Sequence, residues 1–488
     1  MGETTLKQQT AKGIFWGGFS NVAQQFLSIV FSIYIARILT ASDYGLVGML
    51  AVFFGIASVI INSGFSIALI NKQNVSHKDY NAVFWFTCFV GLFLYIFLFF
   101  CAPLIAKFFK YPELVDLSRF LFISFFFNGI AIVPQTILQK QLAAKKLALI
   151  DTTATIISGC IGVILAINGY AYWAIAALSV SFITIASLLK FIIASWRPTL
   201  SFDFSPLKHM ISFSLKLFLT GIFTQINTNL LSVILGKFYN KDMVGYYSQG
   251  QKWNGMGLSI IGGMFNYMTQ PVLAQIAENK DRQIIVLRKM IRFGAFISFP
   301  LMLGLAFVGK EFVIITIGEK WVPCVIFLQL FCIWGSVGFL STLYINLIYT
   351  TGKSNLYMYG TIITGLLQLV AVVALFPFGI YPMIIAYIFI YFIGLGIWQY
   401  YISKLFYLRL KDVMKDIMPY LGITLICFGI TWLVVSRIQN IYILLALKIF
   451  ISAGLYIFVL KISNSVIFKE SVGFLIQGVR QKLKKKWN

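Results

Sequence analysis

Long apolar runs recur through this chain from Ile14 to Lys461, each about 18 to 25 residues, enough to cross a hydrocarbon core of about 30 Å at 1.5 Å per helical residue. No other solvent suits such a chain, because 59% of its residues are hydrophobic and only 11% are charged. Spans are predicted at 14–36, 45–70, 82–106, 117–138, 148–168, 171–194, 210–236, 244–270, 291–317, 322–349, 356–378, 380–402, 418–436 and 441–461. The runs do not alternate in polarity as the strands of a membrane barrel do. The expectation is an all-α integral membrane protein with about fourteen transmembrane helices.

Met1–Lys12 is polar, and the run after it is longer than a signal-peptide core and lacks a small-residue cleavage site, so it is read as a retained first helix. Six cysteines (Cys88, Cys101, Cys160, Cys324, Cys332 and Cys427) are scattered in or beside the apolar runs without a CxxC pair, and there are only two histidines. This indicates neither a disulfide framework nor a zinc site, and no cofactor is expected.

A net charge of +24 invites a nucleic-acid reading, but the charge is placed for a membrane. With the amino terminus inside, cytoplasmic segments collect about 26 of the 39 Lys and Arg, the asymmetry of the positive-inside rule. An even number of spans then returns the carboxyl terminus to the cytoplasm. In residues 466–488, Val472, Leu475, Ile476, Val479, Leu483 and Trp487 share one helical face, with Arg480, Lys482, Lys484, Lys485 and Lys486 toward the other, as in a helix lying on anionic inner-leaflet lipids. Residues 278–293 have the same character and are expected to form a second interfacial helix.

Shifting the chain by 200 residues sets Ser20 on Thr220, Gln25 on Gln225, Ser32 on Ser232, Arg37 on Lys237 and Gly45 on Gly245. Lys110-Tyr111 and Lys320-Trp321, and Ala144-Lys145 and Gly352-Lys353, follow at nearly the same offset. A repeat of six spans implies two halves related by an axis along the membrane normal, an arrangement common in transporters. The predicted division is an N-lobe at 1–200, a C-lobe at 201–405, two further spans at 406–465 and the basic tail at 466–488.

The opening GIFWGGFSNVAQQFLSIVFSIYIARILTASDYGLVGMLAVFFGIASVIINSGFSIALI, above all ARILTASDYG at the end of the first span, resembles the polysaccharide-transporter branch of the multidrug/oligosaccharidyl-lipid/polysaccharide exporter superfamily, especially its Wzx-type O-antigen and colanic-acid flippases. Similarity in span count and loop pattern extends through about the first 400 residues, and two extra carboxyl-terminal spans also suit the flippases. The resemblance implies a flippase of the bacterial cytoplasmic membrane that moves an undecaprenyl-pyrophosphate-linked oligosaccharide from the inner to the outer leaflet. It further implies H⁺ or Na⁺ as a coupling ion to consider and polysaccharide polymerase machinery as a partner. A MATE-like cation-coupled exporter and a lipid II flippase are the alternatives within the superfamily.

A carrier for such a head needs a wet cavity with hydrogen-bonding groups and positive charge. Asn21, Gln25, Ser28 and Ser32 fall on one face of the first span, and Thr220, Thr224, Gln225, Asn227, Thr228 and Ser232 repeat the polar stripe on the seventh. Hydrogen bonding between packed spans is the competing reading. Lys252, on a face with Ser248, Gly255 and Ser259, and Lys216 lie inside the eighth and seventh spans and are the candidates for cavity charge. Lys190 is expected to snorkel, Asp151 ends the fifth span, and Lys448 stands outside the repeat without an assigned role. Arg37 and Lys237 are candidates for a gate at the outer mouth or for helix anchors. Cationic-drug exporters are expected to keep an acidic residue inside a lobe, whereas the intramembrane bias here reads as cationic, with almost no deep carboxylate. A membrane-embedded polysaccharide enzyme would need a general base or metal-binding carboxylates and a sizeable loop, but the loops are mostly short and no DxD, HExxH or glycine-rich phosphate motif occurs.

Overall fold

Thr40, Ser76, Asn240, Asn279 and Asn440 stand at the starts of apolar or amphipathic runs, and each caps a helix. Thr40 and Ser76 form capping boxes with Asp43 and Asp79, whose carboxylates accept from the cap backbone N–H at 2.9 Å in both cases. The Asn240 and Asn279 side chains accept from the N–H of Met243 and Arg282, again at 2.9 Å, and Asn440 accepts from Tyr442 at 3.0 Å. These bonds satisfy backbone donors that a helix start leaves without intrahelical partners.

A computed structural model describes residues 23–62, 64–72, 74–266, 269–351 and 354–470, with backbone alone at 208–217, 266, 270, 271 and 354. Among the described residues the regular structure is entirely helical. In chain order the principal helices are α1 (Ala23–Ile38), α2 (Ala41–Asn71), α3 (His77–Phe109), α4 (Leu114–Lys140), α5 (Ala144–Ile167), α6 (Tyr172–Ile193) and α7 (Leu207–Phe238). There follow α8 (Lys241–Asn266), α9 (Lys280–Phe307), α10 (Cys324–Thr350), α11 (Asn355–Phe378), α12 (Ile380–Phe406), α13 (Leu410–Val435) and α14 (Ile441–Ile462).

The described residues of each predicted span fall largely on these helices, but the ninth continues past α9 as a separate short helix, Gly309–Ile317, and the eighth reaches another, Thr269–Gln275. Among the described residues twelve helices are long and apolar enough to cross a membrane. The described part of α1 is shorter than that measure, and α8 is not among the twelve. Residues 278–293 do not form a separate interfacial helix. Helix α9 runs from Lys280 into the ninth span without a break, because nothing before Pro300 interrupts its hydrogen-bond ladder. At Pro300 the turn widens to a π-helical segment, Phe299–Leu303. In the tail, 466–470 are helical and the amphipathic stretch 471–488 lies outside the described residues.

The chain divides into two compact units, one reaching Ser248 and including Leu369–Ile380, the other comprising Gln249–Gln368 and the residues from Tyr381 onward. In the first, α3 and α4 cross at two glycines. A Cβ on Gly91 would sit 2.6 Å from the Phe125 carbonyl oxygen, and one on Gly129 would overlap that of Thr87. Small residues allow this backbone approach, which provides packing where lipid offers no hydrophobic drive. Phe54, Phe122 and Phe125 fill the space toward α2, with centroids 5.1–6.0 Å apart.

In the second unit α13 and α14 are tied down by polar contacts. The Arg288 guanidinium grips Asp416 of α13 at 2.7 and 3.2 Å, and Arg292 approaches the same carboxylate at 3.8 Å. Tyr456 of α14 donates to the Phe296 carbonyl at 2.9 Å.

Candidate functional site

Helices α2 and α8 begin at positions 200 residues apart and meet within the first unit. A Cβ on Gly45 would overlap the carbonyl oxygen of Lys241, and a Cβ on Gly245 would overlap that of Ala41. Adding 200 to one contact, and exchanging the partners, yields the other, which is the signature of a two-fold contact. Ser42 lies on that local axis, its hydroxyl donating to its own equivalent, Asp242, at 2.5 Å. Gly48 faces its equivalent, Ser248, whose Oγ would be 2.6 Å from an added Cβ. The helix-starting caps are equivalents too, Thr40 and Asn240. The matched glycines therefore have a physical cause, because any side chain there would push the two backbones apart.

Other groups brace the crossing. Lys241 pairs with Glu113 at 3.6 Å, and its backbone N–H donates to the Tyr111 hydroxyl at 3.1 Å. The Tyr239 hydroxyl donates to the Phe376 carbonyl at 2.7 Å. Lys237 is half-buried, donates to the Phe108 carbonyl and stands 4.3 Å from the Phe108 ring centroid, so it caps the end of α3. Arg37, its equivalent, is exposed at the end of α1.

The polar stripe of α7 separates into two roles. Thr224 and Thr228 donate to the carbonyls of Thr220 and Thr224 at 2.8 and 2.9 Å, so their protons stay within the helix. Gln225 instead packs on α2, its Oε1 against Gly55, with Asn229 donating to the Gln225 carbonyl at 2.9 Å. Asn227 is half-buried and Thr228 exposed. On α1, Gln25 and Ser28 are half-buried and Ser32 is buried. Asn21 and the Lys216 side chain lie outside the described residues.

Lys252 is half-buried on α8. Its companion Gly255 has nothing within 4 Å of a built Cβ, and Ser259 is exposed, bonding to the Gly255 carbonyl at 2.8 Å. Gln249, one turn before Lys252, is buried, as are Trp253 and Asn254 toward the other side of the helix. Lys252 thus stands on a face that runs from the packed contact of Ser248 with Gly48 to the exposed Ser259.

Two other lysines have carboxylate partners. Lys190 bonds Asp151 and the Gln135 amide oxygen, both at 3.2 Å, instead of merely snorkelling. Lys448 pairs at 2.8 Å with Glu311, a carboxylate within the predicted ninth span and only 7% exposed. Glu311 is thus a carboxylate of the kind expected to be nearly absent from the spans, and Lys448 offsets its charge. Among the described residues no cluster of His, Cys, Asp and Glu is arranged to hold a metal ion.

An all-helical membrane fold with a two-fold crossing at a 200-residue offset and polar stripes on α1 and α7 fits the class of multi-span membrane transporters. The family model described as polysaccharide biosynthesis protein matches residues 34–326, more than half of the chain, and the chain belongs to that family. It is 24% identical over 469 residues to the teichuronic acid biosynthesis protein TuaB of Bacillus subtilis, covering 93% of this chain and 96% of the relative. Similarity to the lipopolysaccharide biosynthesis protein WzxC of Escherichia coli is 23% identity over 342 residues, 68% of each chain. Among solved structures, the lipid II flippase MurJ in an inward closed conformation superposes with a TM-score of 0.75 at 16% identity, covering 93% of this chain and 99% of MurJ, which shows a shared fold.

Proposed function

We propose that this protein is a flippase that moves an undecaprenyl-pyrophosphate-linked oligosaccharide, the repeat unit of an O-antigen, capsule or exopolysaccharide, from the inner to the outer leaflet of the cytoplasmic membrane by alternating access. The two-fold crossing of α2 and α8 carries the reading. Residues 1–200 and 201–405 act as equivalent lobes, and the α2–α8 crossing, together with its braces at Glu113, Tyr111 and Phe108, is the seam that parts during transport. Family membership and similarity to TuaB, to WzxC and to the lipid II flippase MurJ support a lipid-linked saccharide as cargo. In this reading both termini are cytoplasmic, and the crossing closes the periplasmic side.

Lys252 contributes positive charge toward the pyrophosphate. If α8 enters the membrane near Gly245, seven steps of 1.5 Å set its Cα roughly 10 Å below the boundary, where a lipid-facing lysine costs on the order of 2 kcal/mol. A polar, small-residue face bordering a wet path is the favourable place for it. The one deep carboxylate noted above, Glu311, is engaged by Lys448, so it adds no support to the cationic-drug reading.

The test is complementation in cells whose own flippase has been deleted, with polymer export and the leaflet distribution of lipid-linked repeat as readouts at matched membrane abundance. Lys252→Ala is expected to lower export at least tenfold, a rise of about 1.4 kcal/mol or more in the transport barrier, and Lys252→Arg to restore most of it. Full export with alanine would remove Lys252 from the mechanism. Absence of any complementation by the native chain with its cognate repeat would sink the flippase reading.

A further inference from the structure

A cleft of about 240 Å³ opens beside the charged half of α9, lined by Val286, Lys289, Met290, Phe293, Ile467 and Glu470. The α9 residues recur at three- and four-residue spacing, so they form one stripe. This stripe is distinct from the buried face of Gln283, Leu287 and Ile291 that holds α9 in the unit. The lining is apolar except at the rim, where Lys289 and Glu470 pair at 2.7 Å with both side chains about half exposed. The cleft sits where α9 changes from charged to apolar, the level at which lipid headgroups give way to acyl chains.

We infer that this cleft binds an anionic glycerophospholipid, with an acyl chain along Val286, Met290 and Phe293 and the phosphate at Lys289. Charge selects the occupant. Between Lys280 and Arg292, α9 carries five cations (Lys280, Arg282, Arg288, Lys289 and Arg292) against Asp281 alone, and Lys469 adds another beside the cleft. Asp416 engages Arg288 and Arg292, but the face keeps an excess of positive charge that attracts anionic lipid. The chain's own residues 471–488 follow directly from Glu470 and are apolar enough to compete. However, they bring Arg480, Lys482, Lys484, Lys485 and Lys486 toward a surface of the same sign, so repulsion disfavours them. A neutral lipid satisfies the apolar stripe but does nothing for the positive charge left over once Asp416 and Glu470 are paired. Nothing in this proposal depends on the identity of the transported saccharide.

The experiment uses the full-length protein in detergent, titrated with phosphatidylglycerol or phosphatidylcholine, with lipid retention followed by native mass spectrometry and thermal unfolding. Native protein is expected to retain phosphatidylglycerol at least fivefold more strongly than phosphatidylcholine, about the contribution of one surface cation. Lys289→Gln should erase most of that preference. Glu470→Gln, which releases Lys289 from its partner, should raise it. Val286→Trp, which fills the cleft, should abolish retention of both lipids while leaving the unfolding temperature without added lipid unchanged; if that variant misfolds, the Glu470→Gln gain still decides. Equal retention of the two lipids, or indifference to both charge variants, overturns the proposal. So does a severalfold rise in phosphatidylglycerol binding when the chain is ended after Glu470, which would make the tail the occupant.

Discussion

The pair Lys448–Glu311 offers the sharpest test of how the last helix is held. Lys448 lies seven residues into α14, about 10 Å along the helix, and its ammonium contacts Glu311 at 2.8 Å, the Phe307 carbonyl at 3.4 Å and the Phe307 ring centroid at 4.8 Å. Both side chains are roughly nine-tenths buried. At an effective dielectric near 20, two unit charges at 2.8 Å attract by about 6 kcal/mol, and the cost of desolvating both takes back most of that. Removing one partner forfeits the attraction and leaves the other charge buried, for a loss of about 3–5 kcal/mol. Lys448→Met and Glu311→Gln should therefore each be strongly destabilising, while the double variant should lie within about 1 kcal/mol of the native protein, a coupling of several kcal/mol in a double-mutant cycle. Reversible unfolding in mixed micelles measures all four corners. A single variant costing under about 1 kcal/mol, or a double variant losing the sum of the singles, would refute the claim that the charges depend on each other.

Gly45→Leu or Gly245→Leu should abolish polymer export at near-native abundance, because each puts a side chain where a carbonyl now lies; undiminished export would show that the crossing does not matter for transport. Asp416→Asn should cost about 2–3 kcal/mol in the same unfolding assay, and Arg288→Lys a smaller part of that, since the guanidinium holds two bonds that an ammonium cannot reproduce. Lys237→Ala should weaken the α3 end by about 1 kcal/mol without changing export once abundance is matched, given its bond to the Phe108 carbonyl; a transport defect in the double variant with Arg37→Ala would instead support the gate role.

Sequence and structure agree where the information is local. Apolar run length sets the helices, and Thr40 with Asp43 and Ser76 with Asp79 mark helix starts that are readable as capping boxes. Local pattern also misled at α9. Charges through Arg292 followed by an apolar run look alike whether the chain bends onto the surface or continues straight, and only the uninterrupted ladder up to Pro300 decides for continuity. Glu311 was visible in the predicted ninth span and so was Lys448 in the fourteenth. Their pairing was not, because 137 residues separate them and periodicity carries no long-range register.

The repeat was legible for a different reason, and its consequences reached further than the matches themselves. Gly45 and Gly245 align in sequence because each must accommodate the other half's backbone, so a two-fold contact imposes the same small residue twice. Ser42 and Asp242 also align but differ in type, and this difference is what makes them complementary: two serines or two aspartates on the axis would give a weak bond or a repulsion, whereas one donor and one carboxylate give a charge-assisted bond. Sequence comparison of the halves detects identity at the crossing and overlooks such complementary pairs. The polar stripe of α7 illustrates the same limit. Reading Thr224 and Thr228 as either cavity-lining or cross-bridging omitted the bond each makes to its own helix four residues back. With their protons satisfied internally, these hydroxyls lock no neighbouring helix, and their oxygens can accept from a polar ligand. A stripe that is hydrogen-bonded within its helix costs little to expose, which is what a surface that must be covered and uncovered during transport requires.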